Sequence, residues 1–255
     1  MLNFNDMLSF FPGYCQGLSK VITTYPFDVI KTKMQITNNT KTIKTFKYLY
    51  KNDPKIFLRG INIPLLTFPI DRAISYKIYD DMNELNFNPY QSALCGGMIS
   101  SILNVPMQYI TTNAINTEKK KYRGTLHIIK ETLKNKKKFY KGYSFDTFRS
   151  LSGSTIFLGT YGNIKNNLAD SKKNTIISSL SSIYITWLLT FPLDTLRVLK
   201  QVSDENFFSL VLKRYNTSGF LSFYNGIIPV LFRSIPSTTI GMLVYEEAKI
   251  FIKKI

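Results

Sequence analysis

One histidine, one tryptophan and two cysteines are all that 255 residues hold of those types, and the scarcity removes whole classes of function. His127 has no second histidine to join it in a catalytic pair or a metal cluster. It falls in a short amphipathic loop segment and is expected at the surface. Cys15 and Cys95 have no metal-ligand spacing and no disulfide framework around them, so they read as two small buried thiols. There is no nucleophile–base constellation and no glycine-rich phosphate loop. The chain is not expected to be an enzyme, and no metal or cofactor is expected. The opening MLNFNDMLSFF lacks the basic start and small-residue cleavage site of a signal peptide, and the arginines of a transit peptide. Any membrane targeting should therefore lie in the body of the chain.

Acidic residues are scarce too. Sixteen Asp and Glu stand against 33 Lys and Arg, a formal charge of +17. Such a balance invites a nucleic-acid reading, yet 44% of the residues are hydrophobic and 14% aromatic. The 26 Lys against 7 Arg, with 20 Asn and 29 Ile, are the bias of an AT-rich genome, as in a parasite or a large DNA virus. Part of the lysine excess therefore carries no function.

What is present is a repeat. PFDVIKTKMQ at 26–35 and PLDTLRVLKQ at 192–201 share proline, aspartate, base and glutamine at the same offsets, and Pro106 marks a third copy. A second marker follows each proline: FLRG at 57–60, FYKG at 139–142 and FYNG at 223–226. A third closes each unit: YDDMN at 79–83, YGNIK at 161–165 and YEEAK at 245–249. Three markers in one order, three times, define three diverged copies of about 1–86, 87–170 and 171–255.

Each unit carries two long, mostly apolar segments, with a short amphipathic stretch such as TLHIIKETLKN between them. Six segments of 20 to 30 residues match the roughly 20 needed to cross a bilayer. Their scattered polar residues are tolerable where they face a bundle interior or a water-filled cavity. Charge placement favours the membrane over a soluble bundle. The loops within units (36–60, 117–143, 202–226) hold 18 Lys and Arg against 5 Asp and Glu. The loops between units (84–90, 166–174) hold only Lys172 and Lys173. Such bias puts the three long loops on one side and accounts for most of the net charge, so no nucleic-acid partner is expected. Small-xxx-small pairs, Gly13 with Gly17 and Ala93 with Gly97, suit close helix packing; helix five offers only Ser179 with Ile183.

The threefold pattern P-x-[DE]-x-x-[KR]-x-[KR]-x-Q, aromatic–basic–Gly and Tyr–acid–x–x–basic resembles the mitochondrial carrier family over essentially the whole chain. The resemblance implies an all-α membrane protein in the mitochondrial inner membrane (of a host, if viral). Six tilted transmembrane helices would form a pseudo-threefold barrel, with short amphipathic helices on the matrix side. A central site would open alternately to either side. The kinking prolines would gather a matrix gate from Asp28, Lys31, Gln35, Gln108, Thr111, Asp194, Arg197 and Gln201. In the family's pairing only Lys31–Asp194 would be an ion pair, with Asp28 facing Thr111 and Gln108 facing Arg197; Ile115 cannot brace the layer as Gln35 and Gln201 do. The cytoplasmic gate would hold Tyr79, Asp80, Tyr161, Lys165, Tyr245, Glu246 and Lys249, with the Asn83–Gly162 pair missing from both ends. Two ion pairs outside against one inside would favour a matrix-open resting state.

Counting back from the outer gate, the resemblance places substrate contacts at Arg149, followed by Ser150, at Arg233, and on helix two at Thr67, with Asp71 and Arg72 as further candidates for the cavity face of that helix. Two arginines in a low-dielectric cavity suit an anion. A nucleotide or deoxynucleotide, exchanged by antiport and drawn from host pools, is the first expectation. A keto acid, an amino acid, S-adenosylmethionine or a non-transporting scaffold is the alternative. Cardiolipin is expected at Gly60, Gly142 and Gly226, at helix N-termini. One chain completes the barrel, so a monomer suffices.

Overall fold

The computed structural model describes residues 4–71, 82, 85, 87, 89–134, 138, 140–167 and 172–253. These are helical almost throughout, with no strand among the described residues. The long helices are α1 (Phe4–Thr37), α3 (62–71 as described), α4 (Pro89–Asn116), α6 (Tyr143–Asn166), α7 (Lys172–Val202) and α9 (Ile227–Lys253). Between the members of each pair lies a short amphipathic helix: α2 (Thr42–Asn52), α5 (Thr125–Leu133) or α8 (Phe207–Ser218). Pro106 and Pro192 sit inside α4 and α7, and neither ends its helix.

The three marker glycines close the arrangement into a ring. Each has a positive φ, +77° at Gly60, +81° at Gly142 and +96° at Gly226, a conformation that side chains disfavour. A Cβ at each would also press on the proline-bearing helix of another unit. Gly60 abuts Ala114 of α4, Gly142 abuts Arg197 of α7, and Gly226 abuts Lys31 of α1. Unit one thus touches unit two, two touches three, and three returns to one. Accordingly, the first and last helices, α1 and α9, pack along each other. The motif glycines are needed for this geometry.

Polarity along the helices is inverted relative to a water-soluble bundle. Gln35, Ser178, Ser182, Asp194, Thr195 and Gln201 are buried, whereas Ile22, Leu66, Ile102, Phe148, Leu189 and Phe232 are exposed. In a bilayer that inversion is favourable, because lipid takes the apolar face and the bundle keeps the polar one. By length and composition alone, one described helical stretch qualifies as a span: Ile176–Val202, at mean hydropathy 1.5.

The small-residue seam of α7 lies one position away from the expected Ser179–Ile183 pair. Ser178, Ser182, Thr186 and Thr190 recur every four residues, and each hydroxyl donates to the carbonyl four residues earlier at 2.7–2.8 Å. Satisfied within the helix, they let α6 approach, and Gly153 of α6 lies against Thr186 and Thr190. Gly17 of α1 packs on Pro69 and Phe68 of α3, as its small size requires. Cys15 is partly exposed rather than buried, and the side chain of Cys95 lies outside the described residues.

Candidate functional site

Where the three proline-bearing helices converge, the chain buries a layer of charge. Asp194 of α7 is its centre. Its carboxylate accepts from Lys31 Nζ of α1 at 2.5 Å, from Arg197 Nη2 one turn on at 2.9 Å, and from Gln35 Nε2 at 2.9 Å. Lys31 also lies over the rings of Trp187 (5.1 Å) and Phe191 (5.8 Å), so aromatic faces supplement its carboxylate. Gln35 adds a bond to Thr195 Oγ1, and Gln201 Oε1 accepts from Thr112 of α4 at 2.8 Å. The two glutamines thereby tie α1 to α7 and α7 to α4. At the equivalent position of unit two, Ile115 joins an apolar cluster with Tyr25, Val29, Leu49 and Ile56.

Two charged pairs depart from the expected wiring. Asp28 does not face Thr111: it is held by Arg233 Nη1 of α9 at 2.9 Å, while the Thr111 hydroxyl donates to its own helix at Met107 O. Arg197 does not face Gln108. Gln108 instead lines a small cavity between α3 and α4 with Ile63, Pro64, Thr67, Phe68, Asn104, Met107 and Thr111. The physical reason is common to both. Thr and Gln carry no charge, so Asp28 and Arg197 pair with the opposite charges within reach, Arg233 and the aspartates Asp194 and Asp146.

Asp146 of α6, absent from the expected set, is the further member. It is 1% exposed. Its Oδ1 accepts from Arg149 Nη2 at 2.9 Å and lies 3.8 Å from Arg197 Nη1. Arg149 in turn brings Nε to 3.9 Å from Asp194. The layer therefore engages Lys31, Arg149, Arg197 and Arg233 with Asp28, Asp146 and Asp194. The expectation of a single ion pair here does not hold, since Arg197–Asp194, Arg149–Asp146 and Arg233–Asp28 join Lys31–Asp194; the outer-gate side chains on which the matrix-open bias also depends lie outside the described residues. The satisfaction is nevertheless incomplete. Gln35 Oε1, Gln201 Nε2, Arg149 Nε and Arg197 Nε are buried without a hydrogen-bond partner, which weakens the closed arrangement.

Arg149 and Arg233 are the most accessible cations of the layer, at 21% and 19% side-chain exposure against 7% for Lys31 and 9% for Arg197. Arg233 also stacks on Trp187 at 5.5 Å. Of the other expected contacts, Thr67 bonds back to Ile63 O, Ser150 is half-buried next to Arg149, and Asp71 is buried on α3. Arg72, Tyr79 and Asp80 lie outside the described residues, as do the side chains of Lys165, Tyr245, Glu246 and Lys249. Tyr161 stacks on Phe157 at 5.9 Å. Beneath the layer, Arg214 of α8 donates to Gln35 O at the end of α1 and to Ser222 O. Burial pushes its guanidinium down to about 10, still charged at neutral pH.

Among known proteins, the chain matches the family described as mitochondrial carrier protein three times, over residues 4–90, 86–172 and 173–255. It is 25% identical to a probable mitochondrial 2-oxodicarboxylate carrier of Schizosaccharomyces pombe, covering 97% of this chain and 94% of that protein. It is 27% identical to a mitochondrial carnitine carrier of Saccharomyces cerevisiae over 98% of this chain and 89% of the relative. A mitochondrial adenyl nucleotide antiporter of Danio rerio is 24% identical over 88% of this chain and 54% of its own length.

Proposed function

This chain belongs to the mitochondrial carrier family, and from that premise we propose that it moves a small carboxylate anion by alternating access, with Arg149 and Arg233 as its substrate contacts. Members of the family are transporters of the inner membrane, so the chain is a multi-pass carrier and not an enzyme. The observation that carries the substrate reading is the pair of accessible arginines at the edge of an ionic layer whose other cations, Lys31 and Arg197, are buried. Among the described residues of the layer, four cations face three carboxylates, leaving one positive charge in excess. That surplus suits an anion of one or two charges better than a nucleotide polyphosphate. The 2-oxodicarboxylate carriers among the relatives agree with it. Nucleotide exchange, the first expectation from sequence, is supported by the adenyl nucleotide antiporter alone among the relatives described above.

In this reading the charged layer is the matrix gate, seen closed. The substrate's carboxylates would take Arg149 and Arg233 from Asp146 and Asp28, loosening the layer from above. Anionic lipid, cardiolipin in this membrane, belongs at the positively polarised starts of the helices that follow Gly60, Gly142 and Gly226. A single chain closes its own ring, and it works as a monomer.

Reconstituted in liposomes, Arg149→Ala and Arg233→Ala are each expected to lower carboxylate uptake at least tenfold, about the loss of one charged hydrogen-bond partner. Arg123→Ala, in an exposed loop, should leave uptake unchanged. Normal uptake by both site variants would remove the arginines from the substrate path.

A further inference from the structure

Unit two has lost its gate acid, for Gln108 stands where Asp28 and Asp194 stand in the other units. We propose that Asp146, on the neighbouring even helix, has taken over that charge and works as a positioning residue. It holds Arg149 in the gate while no substrate is bound, and it links substrate occupancy to opening. The inference rests on the reading of Arg149 as a substrate contact.

Counted from the marker glycines, Asp146 occupies the position of Pro64 in unit one and Val230 in unit three. Val230 is fully buried, as expected for an apolar slot in a packed helix. A carboxylate in that slot is costly unless it is paired. Asp146 is paired twice, through a single oxygen that accepts from Arg149 and lies within ion-pair distance of Arg197. Arg197 is the base that Gln108 cannot neutralise. The acid is thus present where unit two needs it, although it arrives from α6 rather than α4.

The shared oxygen gives the residue its second task. Arg149 is the more accessible partner, at 21% side-chain exposure, and Arg197 the buried one at 9%. When an anion draws Arg149 away, Asp146 keeps only the longer contact to Arg197. Arg149 also leaves the vicinity of Asp194, where Lys31 is held. Substrate binding is passed in this way from the accessible edge of the layer to its centre, and the gate loosens only when the site is filled.

Gate closure can be read without transport. In a background of Cys15→Ser and Cys95→Ser, the Thr67→Cys variant is exposed to a membrane-impermeant thiol reagent confined to the matrix face of oriented vesicles. Adding Asp146→Asn is expected to raise the initial labelling rate severalfold, because Arg149 and Arg197 lose their common carboxylate. Asp146→Glu should stay near the parent rate. The double variant Asp146→Asn with Arg149→Gln should label well below Asp146→Asn, since only one of the two arginines that shared the carboxylate is then left without it, while remaining inactive in uptake. Parent-like labelling in Asp146→Asn, or high labelling persisting in the double variant, would overturn the proposal. If the parent takes up no carboxylate, the substrate reading fails while the labelling result still decides the role of Asp146.

Discussion

Asp194→Asn is expected to abolish uptake and to open the matrix face to thiol reagents. Asp194 accepts from Lys31 and Arg197 and takes a side-chain bond from Gln35, and all of these groups are buried. An asparagine of the same size keeps the shape and removes the charge. Lys31 is then left with aromatic faces and no carboxylate at contact distance. Removing one partner of a buried ion pair costs about 3–5 kcal/mol. At 1.4 kcal/mol per decade, that shifts the balance between closed and open gate by more than a hundredfold. Asp204→Asn is the control, because its pair with Lys141 lies at the exposed surface and should contribute little. Sided thiol labelling, read beside the unfolding midpoint in detergent, separates gate opening from general damage.

Gly226→Ala is the second large effect expected, and it acts through backbone. With φ at +96°, an alanine would be strained by roughly 1–2 kcal/mol even in open space. Here the space is closed: the added Cβ would fall 2.9 Å from the Lys31 carbonyl oxygen and 3.3 Å from Lys31 Cα. Neither atom can turn aside as a side-chain tip could. The first turn of α9 must therefore move off α1, and the residue it displaces is the gate lysine. Gly124→Ala has a similar φ of +99° with nothing within 4 Å, so it carries the strain alone. A midpoint lowered by several degrees more in Gly226→Ala than in Gly124→Ala is the expected outcome. Equal shifts in the two would argue against the close approach of α9 to α1.

What could be read before the structure was whatever the threefold repeat made redundant. The glycine markers recur in all three units and the acid, base and glutamine in two, and each of them has a definite place in the ring. The misses are the features that break the symmetry. Asp146 has no acidic counterpart in units one and three, so reading the repeats as copies hides it; an acid in an otherwise apolar column was the available signal. The Asp28–Arg233 pair joins a gate residue to a residue expected for substrate, a crossing that motif pairing does not anticipate but the reach of an arginine allows. The seam of α7 was missed by one position, because small polar residues at 178, 179, 181 and 182 make its register ambiguous until a neighbouring helix fixes the face.

The most direct test is initial uptake by liposomes holding the purified carrier, with labelled 2-oxoglutarate and labelled ATP offered separately to the same preparation. Saturable 2-oxoglutarate uptake, reduced at least tenfold in Arg233→Ala and well above any ATP uptake, is the predicted result. Saturable ATP uptake with no carboxylate transport would contradict the charge argument for the site.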